Sequence, residues 1–413
     1  MRKTLKKEYN KRQLVLKKIL VSIVLVLVVA TNGFCRSVTN IAPKTQKTAI
    51  KVAMLLPLYY ENIDELSFNE YNIDEKRGKK YKCFSYLPFY EGARLALDEL
   101  EKQGYKVSLY VFDCGDNDDK KMQTALNHSA MKDMDLVVAL VMKQSFNMVS
   151  EFCRINKIPL INPLSQDDGI LNNPYVIKIQ PDDMARTVSL VKYIEQKRTD
   201  EKIVVLYDDR DTPQDILAYW KEYLPKVSTK WTIINYRKNA SRLSNYLSDK
   251  ENNFVINLIN KKTQADNKAH AKALINTLSN KKCKITLFAS YDWFDYVGND
   301  YKVLQELNLH FFLTYYNDFT NVNFTNFANK YRTHFKVVPD KIYASIGYDI
   351  INYFLPLISS KGKDFIHSPN TTEQKDMIVR YKFAKPDDNL GWANTNAIIY
   401  RLEDYKVRSC WCY

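Results

Sequence analysis

The segment Asp135–Ser165, DLVVALVMKQSFNMVSEFCRINKIPLINPLS, constrains the fold more than any other part of the chain. Leu136–Val141 is a continuous apolar run, which is the pattern of a strand buried on both faces. A turn at Lys143–Ser145 leads into apolar positions at helical spacing, and a second apolar run follows at Ile158–Ile161. The segment therefore predicts a strand–helix–strand unit, in which ligands bind beyond the carboxyl ends of the strands.

Strands and helices alternate along most of the remaining chain, and the pattern restarts after Pro181. The predicted strands are Ile50–Leu56, Val107–Phe112, Tyr175–Gln180, Ile203–Tyr207, Trp231–Tyr236, Phe254–Ile259, Ile285–Ala289 and His310–Tyr315. There are too many units for one small sheet, so we expect an α/β protein of two lobes with mostly parallel sheets. Near the C-terminus, Ile378–Phe383 and Ala397–Leu402 are predicted to form an antiparallel pair. Gly92, inside a helical pattern, predicts close packing against the sheet.

The N-terminal segment has the composition of an export signal. Within residues 1–35, eight basic residues and one acid precede the apolar core Ile19–Ala30. This core is shorter than the roughly 20 residues that span a bilayer. We therefore predict that 1–35 is a signal peptide or a membrane anchor, and that the protein is exported to the periplasm or cell envelope. Cys35 could carry a lipid, although Phe34 stands where a lipoprotein signal has a small residue.

Charge and motifs argue against several functions. The net charge is +14, but the first 35 residues contribute half of it and the remaining charges are dispersed, so no nucleic-acid partner is predicted. With only 10 glycines, the chain has no Gly-rich phosphate loop. It also lacks a G-x-S-x-G elbow, and its five histidines show no metal-ligand spacing. We predict neither an enzyme nor a cofactor or metal site.

Four stretches together resemble the type I periplasmic binding proteins, the branched-chain amino-acid receptor class. They are KVAMLLPLYY, FYEGARLALDELEKQGYKVSLYVFD, the opening segment, and YASIGYDIINYF before the C-terminal strands. The resemblance spans about 50–402 and is closest to exported versions from Bacteroidetes-like bacteria. It implies two Rossmann-like lobes joined by a hinge of several crossings. By this likeness, lobe one comprises 50–178 plus 308–365, and lobe two 179–300 plus 374–405.

The resemblance also implies a ligand site between the lobes. In the family, residues after the third and fourth strands hold the ligand. The positions that match them here are Lys143, Gln144, Ser145, Leu164, Ser165 and Gln166. Of these, only the two serines carry a hydroxyl, and Lys143 brings a charge that is not usual there. Three further candidates follow other strands: Tyr59 and Tyr291 could stack on a ligand, and Asp208 could meet a ligand amine.

Two functions remain open from the sequence. The first is an exported solute-binding protein that captures an amino-acid-like or other polar metabolite for an ABC-type permease or a sensor. The second is an envelope interaction module that keeps the fold without a small ligand. A small-molecule partner and a membrane or envelope protein are the predicted partners.

Overall fold

The structure is a computed structural model, and it describes residues 49–60, 83–115, 118–197, 201–298, 300–340, 342–371 and 373–412. The prediction of a signal or anchor at 1–35, and that of a lipid on Cys35, lie outside these residues. None of the described helices is both long and apolar enough to cross a membrane.

Fourteen strands are described. In chain order they are β1 (Ile50–Leu56), β2 (Val107–Asp113), β3 (Leu136–Ala139), β4 (Leu160–Asn162), β5 (Val176–Lys178), β6 (Lys202–Tyr207), β7 (Trp231–Asn235), β8 (Asn253–Asn257), β9 (Ile285–Phe288), β10 (His310–Leu313), β11 (Phe383–Ala384), β12 (Trp392–Asn394), β13 (Ile398–Glu403) and β14 (Lys406–Cys412).

The α-helices cover the faces of the strands. They are α1 (Cys83–Lys102), α2 (Asp119–Leu126), α3 (Lys143–Asn156), α4 (Asp183–Lys197), α5 (Gln214–Val227), α6 (Tyr236–Asn239), α7 (Gln264–Ser279), α8 (Trp293–Val297), α9 (Tyr301–Glu306), α10 (Val322–Phe335) and α11 (Tyr343–Lys361).

The strands form two seven-stranded sheets, and each sheet with its helices is one lobe. The first sheet has the order β11-β12-β5-β4-β3-β1-β2, and the second β14-β13-β10-β9-β8-β6-β7. Both are parallel except at one edge, where β11 pairs antiparallel with β12 and β13 antiparallel with β10 and β14. The central strands are buried on both faces, which explains their continuous apolar runs. The predicted fold class is therefore confirmed.

The described chain crosses between the lobes three times. The crossings follow β5, β10 and β12, at residues 179–182, 314–321 and 395–397. After the second crossing, α10 and α11 pack against α1 of the first lobe. The carboxyl ends of β5, β10 and β12 therefore lie at the crossings between the lobes, where a ligand can contact both lobes.

Several sequence predictions are wrong in detail. His310–Leu313, predicted in lobe one, pairs with β9 and β13 of the second sheet. Trp392–Asn394, predicted in lobe two, pairs with β5 of the first sheet. The predicted pair of Ile378–Phe383 with Ala397–Leu402 is absent from the described sheets, because β11 pairs with β12 and β13 with β14. The other predicted lobe boundaries stay predictions.

Two glycines allow α1 and α11 to touch backbone to backbone. A β-carbon at Gly92 would overlap the carbonyl oxygen of Ala344, and one at Gly347 would overlap that of Phe89. Gly92 therefore allows close packing against a helix. The sequence predicted close packing against the sheet, and this prediction is wrong. The contact lies in the core of lobe one, where Phe89 and Ala344 are fully buried.

Replacing Gly347 with alanine is expected to lower the free energy of unfolding by about 2 kcal/mol, because the new methyl group must push two helices apart in a packed core. Denaturant unfolding of the purified protein measures the change. Ser345→Ala in the same buried stretch of α11 is the control, since it removes an oxygen and adds no atom. Equal stability of the two variants would contradict the close contact.

Candidate functional site

A cavity of about 680 Å³ lies between the two lobes. Lobe two lines it with residues that follow β6, β8, β9 and β10, and lobe one with the loop after β4 and the first residues of α11. The cavity thus lies at the carboxyl ends of parallel strands, which is where open α/β sheets bind ligands. Its volume is in the range of small-molecule sites.

Aromatic side chains after β9 form much of the wall in lobe two. Tyr291, Trp293 and Tyr296 all line the cavity. The Tyr291 ring is held by Phe294 and Phe311, with ring centroids 5.2 and 5.3 Å away. Burial raises the pKa of Tyr291, so its phenol is neutral at physiological pH and can donate a hydrogen bond. This wall offers flat apolar faces with a polar edge.

Lys261, Asp208 and Asp211 form an ion-pair cluster in lobe two. The Lys261 ammonium lies 2.9 Å from a carboxylate oxygen of Asp208 and 2.6 Å from one of Asp211. Burial acts to raise the pKa of Asp208, but the Lys261 ammonium and the Arg210 N–H outweigh it and hold that pKa below its ordinary value. Asp211 lines the cavity. Because one ammonium is shared between two carboxylates, the cluster keeps a net negative charge, and Asp211 brings it to the cavity wall.

A buried histidine fixes one of the lining amides. His270 Nε2 lies 2.9 Å from Asn257 Oδ1, and the Asn257 amide donates to the carbonyl of Ile259 at 3.2 Å. Burial lowers the pKa of His270 to about 4, so its ring is neutral at physiological pH. A neutral ring that donates to Asn257 Oδ1 fixes the orientation of this amide in the cavity wall.

The side of lobe one is ordered by the turn after β4. The buried Asn162 accepts hydrogen bonds from the backbone of Leu164 and Ser165 at 3.0 and 2.7 Å. The buried Lys178 donates to the carbonyl of Gln166 at 3.1 Å. These contacts hold Gln166, whose side chain lines the cavity.

Helix α4, which follows the first crossing, contributes a guanidinium to the cavity wall. Arg186 and Asp183 of α4 both line the cavity, and an oxygen of Asp183 lies 3.1 Å from Arg186 Nη1. Four charged side chains, Asp183, Arg186, Asp211 and Asp292, therefore line the cavity, and three of them are acidic.

Of the nine predicted positions, Leu164, Gln166 and Tyr291 line the cavity and the other six do not. Lys143 is exposed and pairs with Asp167 at 3.2 Å. Gln144 donates its amide to Asp119 at 2.9 Å. Ser145 is buried inside the first turn of α3, which begins at Lys143, so the predicted turn is already helical.

The remaining three predicted residues also lie outside the cavity. Tyr59 follows β1 with φ of +49°, and the Asp113 carboxylate holds the backbone beside it. Ser165 accepts a hydrogen bond from the Asp167 N–H at 3.1 Å. Asp208 is buried against Lys261.

Sequence reasoning missed several lining residues. Asn260 directly follows the predicted strand Phe254–Ile259, so the rule that ligands meet strand ends could have identified it. Arg186 and Trp220 lie in helices, where an arginine suggests a solvated surface and a tryptophan suggests core. Only the rule that ligands meet strand ends could have pointed to the loop residues.

Two lobes joined by three crossings, with a cavity at the strand ends, define a two-lobed binding protein. The sequence model of the periplasmic binding protein family matches residues 85–374, and the chain belongs to this family. The family consists of exported solute-binding proteins, not enzymes. No curated protein matches the chain in sequence.

Solved structures show the same fold at low identity. An ABC transporter substrate-binding protein from Desulfitobacterium hafniense in complex with Leu is 12% identical, with a TM-score of 0.54, over 88% of this chain and 100% of that chain. A branched-chain amino acid ABC transporter periplasmic ligand-binding protein from Burkholderia xenovorans is also 12% identical, with a TM-score of 0.58, over 88% and 95%.

Proposed function

We propose that the protein captures a small polar ligand, either amino-acid-like or another polar metabolite, and presents it to an ABC-type permease or a sensor in the membrane. The cavity between the lobes carries this proposal, because residues from both lobes line it. A ligand that contacts both lobes stabilises the closed arrangement, and the three crossings act as the hinge. The Leu complex of the Desulfitobacterium hafniense protein makes leucine the first ligand to test.

Gln166 and Tyr291 are the predicted residues that we propose as ligand contacts. Gln166 supplies an amide from lobe one, and Tyr291 supplies a ring face and a neutral phenol from lobe two. Arg186 supplies the only guanidinium among the residues that line the cavity. A contact from each lobe is the minimum that couples binding to closure.

Thermal unfolding of the full chain, with amino acids, sugars and nucleosides added singly, tests the proposal. A true ligand at 100 times its Kd is expected to stabilise the protein by about 2.7 kcal/mol. Tyr291→Ala is expected to weaken that ligand about tenfold, since a stacked ring contributes roughly 1 kcal/mol beyond the area it buries. The control, Tyr405→Ala on the exposed turn between β13 and β14, should bind normally. If no compound of the panel stabilises the protein, ligand capture is not its function.

One observation favours the second candidate, an envelope interaction module. Lys143 and Gln144, in the turn that the family uses for its ligand, are engaged with Asp167 and Asp119 and lie outside the cavity. A membrane-protein complex retained through cross-linking and purification, without any small-molecule stabilisation, would support this function over the first.

A further inference from the structure

The apolar layer of lobe two forms the inner end of the cavity. Six of its lining residues come from α4, α5 and the facing side of the second sheet, and we call them the inner wall: Leu190, Ile216, Trp220, Ile256, Phe288 and Phe312. Five of them belong to the buried cluster between these helices and the sheet, and Phe312 packs against it. The inner wall contains no charged side chain.

One buried donor in the inner wall has no acceptor. Trp220 is 0% exposed, and its indole N–H finds no hydrogen-bond partner among the described residues. Buried tryptophan N–H groups usually have a partner, because a desolvated donor without one destabilises the fold. An apolar enclosure with a single unmatched donor is the pattern of a subsite rather than of a closed core.

We propose that the inner wall is a subsite for an uncharged apolar group of the ligand that bears one hydrogen-bond acceptor, such as a carbonyl oxygen, an ether oxygen or a ring nitrogen, and that Trp220 donates to it. The proposal rests on the proposed function, since it assumes that the cavity takes a ligand. A charged group is excluded because nothing in the inner wall would compensate its desolvation.

The outer part of the cavity has the opposite chemistry. Gln166, Arg186 and Asn260 line it with amides and a guanidinium. The ligand is therefore amphipathic: its polar end lies between the lobes and its apolar end reaches into lobe two. Leucine matches this description only in part, because its side chain offers Trp220 no acceptor.

Acetophenone and ethylbenzene form a matched pair of probes, since they differ only in the carbonyl group. The full chain is labelled with 5-fluorotryptophan and titrated with each probe while fluorine NMR spectra are recorded. We expect both probes to bind saturably and acetophenone to bind roughly 3- to 10-fold tighter, as one hydrogen bond to an otherwise unpaired donor allows. Both probes should move the Trp220 resonance, since each places an aromatic ring beside the indole, and acetophenone should move it further through the hydrogen bond. Trp231 and Trp392 do not line the cavity, so their resonances are internal controls.

Two variants make the test specific. Trp220→Phe assigns the resonance and should abolish the preference for acetophenone while ethylbenzene still binds. Leu190→Phe adds ring volume to the inner wall and should weaken both probes at least tenfold with the Trp220 donor intact, which keeps the test valid if Trp220→Phe does not fold. A Trp220 resonance that neither probe moves, or equal affinity of both probes for the wild type, would overturn the subsite.

The outcome separates the subsite from the proposed function. If metabolites stabilise the protein while neither probe shifts the Trp220 resonance, the proposed subsite is refuted and the proposal of ligand capture stands. If the probes bind at Trp220 but no metabolite stabilises the protein, the subsite stands and ligand capture fails.

Discussion

Lys178→Met is expected to lower the free energy of unfolding by about 3 kcal/mol, because it removes a fully buried cation and leaves the mostly buried Asp182 without its ion-pair partner. The Lys178 side chain is 0% exposed. Its ammonium contacts the Asp168 carboxylate and lies 3.6 Å from that of Asp182. Burial acts to raise the pKa of Asp182, but the Ala185 N–H, Asp168 and the ammonium hold it below its ordinary value. Without the lysine, Asp182 keeps its burial and the Ala185 hydrogen bond but loses the ammonium.

The same substitution is expected to weaken ligand binding. Lys178 holds the carbonyl of Gln166, and Asp182 accepts a hydrogen bond from the Ala185 N–H at the start of α4. The side chains of Gln166 and Arg186 line the cavity from these two segments. Lys178 therefore positions the wall on both sides of the first crossing without lining the cavity.

Urea unfolding at pH 7 measures the stability, with Lys226→Met as the matched control. Lys226 pairs with Glu222 at 2.9 Å on the exposed face of α5, where such a pair contributes little. The control should leave the stability close to that of the wild type. If Lys178→Met and Lys226→Met are equally stable, the buried ammonium does not hold the crossing together.

The sequence sufficed for the fold because strands buried on both faces are continuous apolar runs. Leu136–Ala139 and Lys202–Tyr207 both carry that signature, and each adjoins a helix with a clear apolar stripe. Alternation of such strands with helices leaves a parallel sheet as the simplest arrangement. This is why the two-lobed class could be predicted although no single motif is specific.

The pairing of the last strands could not be predicted, because it depends on distant partners. β11 and β12 are only two and three residues long, and nothing in their sequence selects the first sheet. β13 and β14 form a hairpin through Asp404 and Tyr405, both of which have positive φ. Such turns usually contain glycine or asparagine at these positions. With Tyr405 in the second one, the turn was not recognisable.

The candidate site was predicted in part, for a related reason. Gln166 and Tyr291 lie in the loops that follow β4 and β9, so the strand-end rule finds them. Lys178 ends a strand and Trp220 lies inside a helix, and their importance comes from burial and missing or shared partners. Neither property can be read from the residue type, since most lysines are solvated and most buried tryptophans are paired.

A buried carboxyl group at the hinge carries the second large prediction. Asp349 of α11 is fully buried, and its two oxygens accept the backbone N–H groups of Ile378 and Val379 at 2.9 and 2.8 Å. Tyr315 also bonds to this carboxyl group, and its hydroxyl lies 2.5 Å from that of Tyr381. Because Tyr315 lines the cavity within the second crossing, this cluster joins the cavity wall to the core of lobe one.

Burial raises the pKa of Asp349 from 3.8 to about 7, although the two backbone N–H groups and Tyr315 act to lower it. A raised pKa means that the folded protein holds this proton while the unfolded chain has already lost it. The stabilisation is complete below pH 3.8 and is lost as the pH rises through 7. In this window the free energy of unfolding should fall by about 1.4 kcal/mol per pH unit from this group alone.

At pH 5, Asp349→Asn is therefore expected to be less stable than the wild type, because its amide cannot accept both backbone N–H groups. Between pH 5 and pH 8 the variant is expected to gain about 3 kcal/mol of stability relative to the wild type, because the amide does not ionise. Denaturant unfolding at four pH values measures the difference between the two proteins. His270 and His310, whose pKa values burial lowers to about 4, are present in both and cancel. Asp133→Asn on the exposed surface should follow the wild type within about 0.5 kcal/mol at every pH. Parallel curves for wild type and Asp349→Asn would show that Asp349 does not titrate in this range, and that the hinge cluster is held by its hydrogen bonds alone.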